Sequence, residues 1–159
     1  MRKIIVFLLL ISVSIFAQED SNKLTVYDFL SLTRIGSPQF SPEGQTIAFV
    51  ISKKESWDKS GTSHIWLIKS DQSEKKQLTN SDKPDWDPQW SPDGTKIAFL
   101  SVRSGKTQVY CIPIDGGEAQ QKTWSDESVA MFAWIDNNRI AYVTNAPRDS
   151  ALVETEKEA

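Results

Sequence analysis

The residues able to do chemistry in this chain are few, and their spacing points away from an active centre. His64 is the only histidine; it follows Gly61-Thr62-Ser63 and heads an apolar run. No second histidine is present to share a metal ion, and no Gly-x-Ser-x-Gly serine is present for it to deprotonate. A structural role at a strand edge is the expectation. Asp85, Asp87 and Asp93 lie close together in sequence, and such carboxylates could suit calcium, a hard ion that takes oxygen ligands. Their spacing is not that of an EF-hand loop, Asp87 precedes a strand and Asp93 sits in a turn, so turn and cap hydrogen bonding is expected instead. Cys111 is the only cysteine, which excludes an intrachain disulfide and a cysteine-based zinc site. It lies in Val109-Tyr110-Cys111-Ile112, where a free thiol packs as a small apolar side chain. No catalytic residue, metal site or cofactor is therefore assigned. Among six tryptophans, Trp57 is the candidate for substrate or partner contact, because it falls in a polar insertion and not at a repeated position.

The elements that position these residues repeat. Pro38-Gln39-Phe40-Ser41-Pro42-Glu43-Gly44-Gln45-Thr46-Ile47-Ala48-Phe49-Val50 aligns without a gap, at an offset of 50, with Pro88-Gln89-Trp90-Ser91-Pro92-Asp93-Gly94-Thr95-Lys96-Ile97-Ala98-Phe99-Leu100. A third copy, from Phe132 to Val143, keeps the aromatic, turn and Ile-Ala-aromatic pattern with one residue deleted. The second halves repeat at an offset of 44: His64-Ile65-Trp66-Leu67-Ile68 with Gln108-Val109-Tyr110-Cys111-Ile112, and Gln77-Leu78-Thr79 with Gln121-Lys122-Thr123. The difference of six is an insertion around residues 53–61 of the first copy. Trp90 and Trp134 share the position of Phe40, and Trp66 that of Tyr110, so all are expected in packing between repeats. Trp86 and Trp124 are less constrained.

Each copy reads as four short strands. Ser-Pro-Glu-Gly and Ser-Pro-Asp-Gly are tight turns, with proline fixing φ at the second position and glycine accepting the positive φ that follows. Four strands at a period of 44 to 50 residues are the mark of a β-propeller blade. The fold class expected is all-β: a partial propeller of about two and a half four-stranded blades, at residues 37–82, 83–126 and, in part, 127–145. Closed propellers use roughly four to eight blades, so an incomplete protein is expected, with open blade edges able to self-associate.

Ahead of the blades, Arg2 and Lys3, the apolar run over residues 4–11 and the small Ala17 before Gln18 form a secretory signal peptide at residues 1–17. The apolar stretch is shorter than the roughly 20 residues that span a bilayer, so no membrane span is expected after cleavage. Residues 18–36 supply a linker and one short helix, in which Thr25-Val26-Tyr27-Asp28 resembles a capping box and Gly36 with Pro38 ends the helix. Residues 146–159 are a charged tail that begins a further segment. The net charge of −3 becomes −5 once Arg2 and Lys3 are removed. With its basic residues scattered, the chain has no surface of the kind that binds nucleic acid.

Together these residues resemble a family. A signal peptide, the Thr-Val-Tyr-Asp helix leading through Leu32-Thr33-Arg34-Ile35-Gly36, the Pro-Gln-aromatic-Ser-Pro-acid-Gly repeats and Asp115-Gly116-Gly117-Glu118-Ala119 are similar to the amino-terminal part of secreted prolyl oligopeptidase-family serine peptidases. The nearest branch is the acylaminoacyl peptidase and dipeptidyl-peptidase-like group, and the resemblance runs from Lys23 to Pro147. It implies a propeller that restricts entry of peptide substrates to an α/β-hydrolase domain carrying a Ser-Asp-His triad. That domain is absent from these 159 residues, and none of its catalytic residues has a counterpart here. The alternative is a non-catalytic, protein-binding propeller of the cell envelope, since TolB-type blades also carry Ser-Pro-Asp-Gly turns. Either way the chain is expected to be exported, to the periplasm or beyond.

Overall fold

The turn-forming tetrapeptides and the apolar alternation around them build ten strands. The structure, a computed structural model, describes Asp28, residues 32–54 and residues 61–144. Asp28 is helical; the rest of the expected helix, the signal peptide, Trp57 and the charged tail lie outside the described residues. The first sheet holds β1 (Arg34–Phe40), β2 (Thr46–Lys53), β3 (Thr62–Lys69) and β4 (Lys75–Gln77) in the order β1-β2-β3-β4. The second holds β5 (Asp85–Trp90), β6 (Lys96–Ser101), β7 (Gln108–Pro113) and β8 (Gln120–Gln121) in the order β5-β6-β7-β8. β9 (Val129–Trp134) and β10 (Ile140–Thr144) form a two-stranded third sheet. All pairs are antiparallel, as hairpin connections require. These are two four-stranded blades and half of a third, the architecture of a partial propeller.

The serine of each Ser-Pro-acid-Gly turn closes its hairpin twice over. Ser41 N–H donates to the Thr46 carbonyl at 2.8 Å, while Ser41 Oγ accepts from Thr46 N–H at 3.0 Å. Ser91 and Lys96 repeat both bonds at 2.9 and 3.0 Å. Gly44 and Gly94 take φ of 74° and 70°, a region that costs an L-residue roughly 1–2 kcal/mol. Around Gly44 a Cβ would meet nothing within 4 Å, whereas at Gly94 it would lie 3.1 Å from Glu43 Oε2 and 3.5 Å from Pro42 Cδ. Gly94→Ala is therefore expected to lower stability by about 1–2 kcal/mol, with Gly44→Ala at the lower end; paired urea melts check the ranking.

Proline also shapes the first strand of each blade. Pairing with the second strand jumps from Gly36 to Gln39 and from Trp86 to Gln89. Pro38 and Pro88 have no N–H for the ladder, and the skipped Ser37 and Asp87 turn to φ of 50° and 54°. The third copy has Phe132 where Pro88 stands, and its irregularity moves to the pair Val143/Thr144.

Two apolar clusters fill the seams. Between the first and second blades, Val50, Ile65, Leu67 and Leu78 pack on Ile97, Phe99, Tyr110 and Ile112. Between the second and third, Leu100, Val109 and Cys111 pack on Val129 and Phe132. At each seam an indole is anchored as well: Trp90 Nε1–H donates to the Gln39 carbonyl at 3.0 Å, and Trp134 Nε1–H to the Gln89 carbonyl at 3.3 Å. Trp86 packs at the edge of the second cluster, and Trp124 is exposed. Within each four-stranded blade a threonine past the outermost strand ties back, with Thr79 Oγ1 accepting from Ile65 N–H and Thr123 Oγ1 from Val109 N–H, both at 2.9 Å.

Candidate functional site

The repeat supplies its own control. A residue demanded by the blade should recur, and a polar residue that stands where the other copies have aliphatic ones needs another reason. Asp85 is such a residue: Ile35 and Val129 hold its place in the first and third blades. It opens β5 and is 0% exposed. A buried carboxylate is costly unless it is paired and hydrogen-bonded. Arg103, from the loop between β6 and β7, supplies both, with Nε 3.2 Å from Oδ1 and Nη2 2.8 Å from Oδ2. This two-point geometry is the strong form of a guanidinium–carboxylate pair. The guanidinium is held from the other side by rings, its Cζ lying 5.2 Å from the Phe99 centroid and 5.4 Å from that of Tyr110.

The first blade closes over this pair. Ser63 Oγ donates to the Asp85 carbonyl at 2.9 Å, and Ser81 Oγ reaches Asp85 Oδ2 at 3.4 Å. His64 Nδ1 stands 3.9 Å from Asp85 Oδ2, and this buried nitrogen has no hydrogen-bond partner among the described residues. His64 and Asp85 thus meet at the junction of the first two blades, although 21 residues separate them. The chemistry of the cluster is that of a charge-compensated clamp: its carboxylate is engaged by Arg103 and has no open face.

The other candidates are placed elsewhere. Asp93 belongs to its turn, where Oδ1 accepts from Ser91 Oγ at 2.6 Å, Thr95 N–H at 3.1 Å and Thr95 Oγ1 at 2.8 Å. These bonds, led by that of Ser91, hold its carboxyl down at about 2 from an ordinary 3.8. A lowered folded-state pKa gives stability that is present above 3.8 and lost as pH falls towards 2. Asp93→Asn is accordingly expected to lower the melting temperature at neutral pH and to flatten its fall between pH 3.8 and 2, so that variant and wild type converge at the acid end of that window. Asp87 occupies the bulge of β5 and does not join Asp85. Cys111 is buried in the second seam, and burial pushes its thiol up to about 11, as suits a packing residue.

Sequence reading missed Arg103, which sits in a polar loop without a motif. The signal was available in the repeat, as an acidic residue at an aliphatic position that calls for a cation from some other segment.

The comparisons with known proteins agree on the fold. The family model described as the TolB beta propeller domain matches residues 15–158. A protein named uncharacterized peptidase YuxL, from Bacillus subtilis, is 32% identical over 122 residues, covering 76% of this chain and 19% of its own length. Dipeptidyl-peptidase 5 of Porphyromonas endodontalis is 31% identical over 103 residues, covering 65% of this chain and 15% of its own. Among solved structures, the AtxE2 isopeptidase superimposes with a TM-score of 0.68 at 19% identity, over 86% of this chain and 25% of that one. The chain thus spans less than a fifth of the two curated relatives' length.

Proposed function

Because the chain belongs to the TolB beta propeller domain family, we propose that it forms part of the propeller of an exported serine peptidase of the prolyl oligopeptidase family. In this reading the propeller screens peptides for entry to an α/β-hydrolase domain carried by the rest of the protein. The observation that supports it is the kinship with two curated relatives named as peptidases, at 31% and 32% identity. The described residues fit a scaffold: apart from His64 Nδ1, their buried polar groups are spent on turns, seams and one clamp. No nucleophile elbow occurs in the sequence. Trp57, in the insertion of the first blade, is the residue proposed to touch peptide or partner, and cleavage after Ala17 is proposed to release the mature chain.

The second reading is a non-catalytic binding propeller of the cell envelope, favoured by the TolB description of the family model. Labelling with a fluorophosphonate separates the two. The native polypeptide bearing this sequence, isolated from its source, is expected to have Gln18 at its amino terminus and to carry one labelled serine. An unlabelled polypeptide composed of blades alone would replace the peptidase reading with the binding one.

A further inference from the structure

Trp124 stands in the loop that follows β8, and the blade does not require it there. The offset that aligns Thr79 with Thr123 puts Asn80 at the same position of the first blade. The indole is 73% exposed and has no hydrogen-bond, aromatic or cationic partner among the described residues. Its backbone, by contrast, is fixed on both sides. Gln108 is 3% exposed, and its Oε1 accepts from Thr123 Oγ1 at 2.6 Å and from Ser125 N–H at 3.3 Å. Its Nε2 donates to the Ser125 carbonyl at 2.8 Å, and Gln121 Nε2 donates to the Thr123 carbonyl at 2.6 Å. The loop is thus wired through the neighbours of Trp124, so a partner of the ring would meet it already ordered.

The indole lines a cavity of about 530 Å³ together with Ser104 and Lys106 of the loop between β6 and β7 and with Gln108 and Gln121 of β7 and β8. Apart from the spent Gln108, these polar side chains have bonding capacity left. The Ser104 hydroxyl makes no bond among the described residues. Gln121 Oε1 accepts only from Tyr110 O–H, at 3.2 Å, and its Nε2 keeps a second N–H. Lys106 Nζ donates to the Asp126 carbonyl and retains further N–H groups. Neither a carboxylate nor a guanidinium lines the cavity, so nothing in it selects a strongly charged ligand.

We infer that this cavity binds a neutral pyranose, with one C–H face of the sugar ring on the Trp124 indole and its hydroxyls reaching Ser104, Lys106 and Gln121. An aliphatic side chain laid on the indole would take those polar groups out of water without replacing their bonds, which is costly. A wholly polar ligand would gain nothing from the ring. A pyranose with equatorial hydroxyls answers both demands, since its faces are apolar and its rim carries donors and acceptors. The site lies entirely in the second blade and holds under either reading of function.

Cellotriose, a β-linked glucose trimer with every ring substituent equatorial, is the probe, titrated into the full chain labelled with fluorotryptophan. The fluorine resonance missing from the Trp124→Ala variant identifies Trp124. That resonance is expected to shift saturably while the remaining tryptophan resonances stay in place. Ser104→Ala, which removes an exposed hydroxyl and no bond within the chain, should weaken the binding roughly threefold to tenfold, the worth of one hydrogen bond. A Trp124 resonance unmoved by cellotriose and by its N-acetylglucosamine analogue chitotriose would overturn the inference. So would unchanged affinity in Ser104→Ala, or an equal shift on adding the apolar peptide acetyl-Leu-Pro-Leu-amide, since the indole would then be a greasy contact without sugar selectivity.

Discussion

Replacing Arg103 by alanine is expected to lower the stability of the chain by about 3–5 kcal/mol, the cost of leaving a buried charge without its partner. Asp85 is fully buried and draws both guanidinium contacts from this one residue. Ser81, at 3.4 Å, is too distant to replace them. For a domain of this size a loss near 3 kcal/mol corresponds to a fall in Tm of roughly 10–20 °C, read by circular dichroism. The pair is not expected to be worth that much in itself, because desolvation offsets most of the attraction. Combining Arg103→Met with Asp85→Val, the residue type at Val129 in the third copy, should recover most of the loss. Equal damage in the single and double variants would show that Arg103 acts through its packing on Phe99 and Tyr110 and not through the carboxylate.

Phe99→Ala is the second large effect, at about 3–5 kcal/mol for an aromatic ring removed from a closed core. Phe99 is 0% exposed, lies in the seam of the first two blades and stacks on Tyr110 with centroids 6.0 Å apart. It also carries the Arg103 guanidinium on its face. Removing the ring opens a cavity and loosens the clamp together, so the two losses should not add. The Phe99→Ala, Arg103→Ala double variant is expected to lie above the sum of the single ones in stability, as urea melts would show. Simple addition would mean that the ring and the ion pair are energetically separate.

Much of this organisation is legible in the residues because each blade is held mainly by neighbours in sequence. The offset of 50 placed both turn-closed hairpins, and the offset of 44 aligned Thr79 with Thr123, though not their bonds back to the third strand. The aromatic position before each turn marked Trp90 and Trp134 as seam residues, though not their carbonyl partners. The clamp was hidden for the opposite reason. Asp85 and Arg103 come from two segments of the second blade that meet only once β5 pairs with β6, and packing of the first blade on the second adds His64. The bulges at Ser37 and Asp87 follow from Pro38 and Pro88, yet a period-two reading of the strands passes over them.

The indole anchors have a direction. Trp90 reaches back to Gln39 and Trp134 reaches back to Gln89; the acceptor always belongs to the earlier blade. On a ribosome, where the amino-terminal part emerges first at about 5–20 residues per second, the second and third blades therefore each appear after the surface that will receive them. The nascent arc can lengthen one notch at a time, each tryptophan latching onto a carbonyl already fixed in place. Neither of these blades has to wait, unlatched, for an acceptor still inside the exit tunnel.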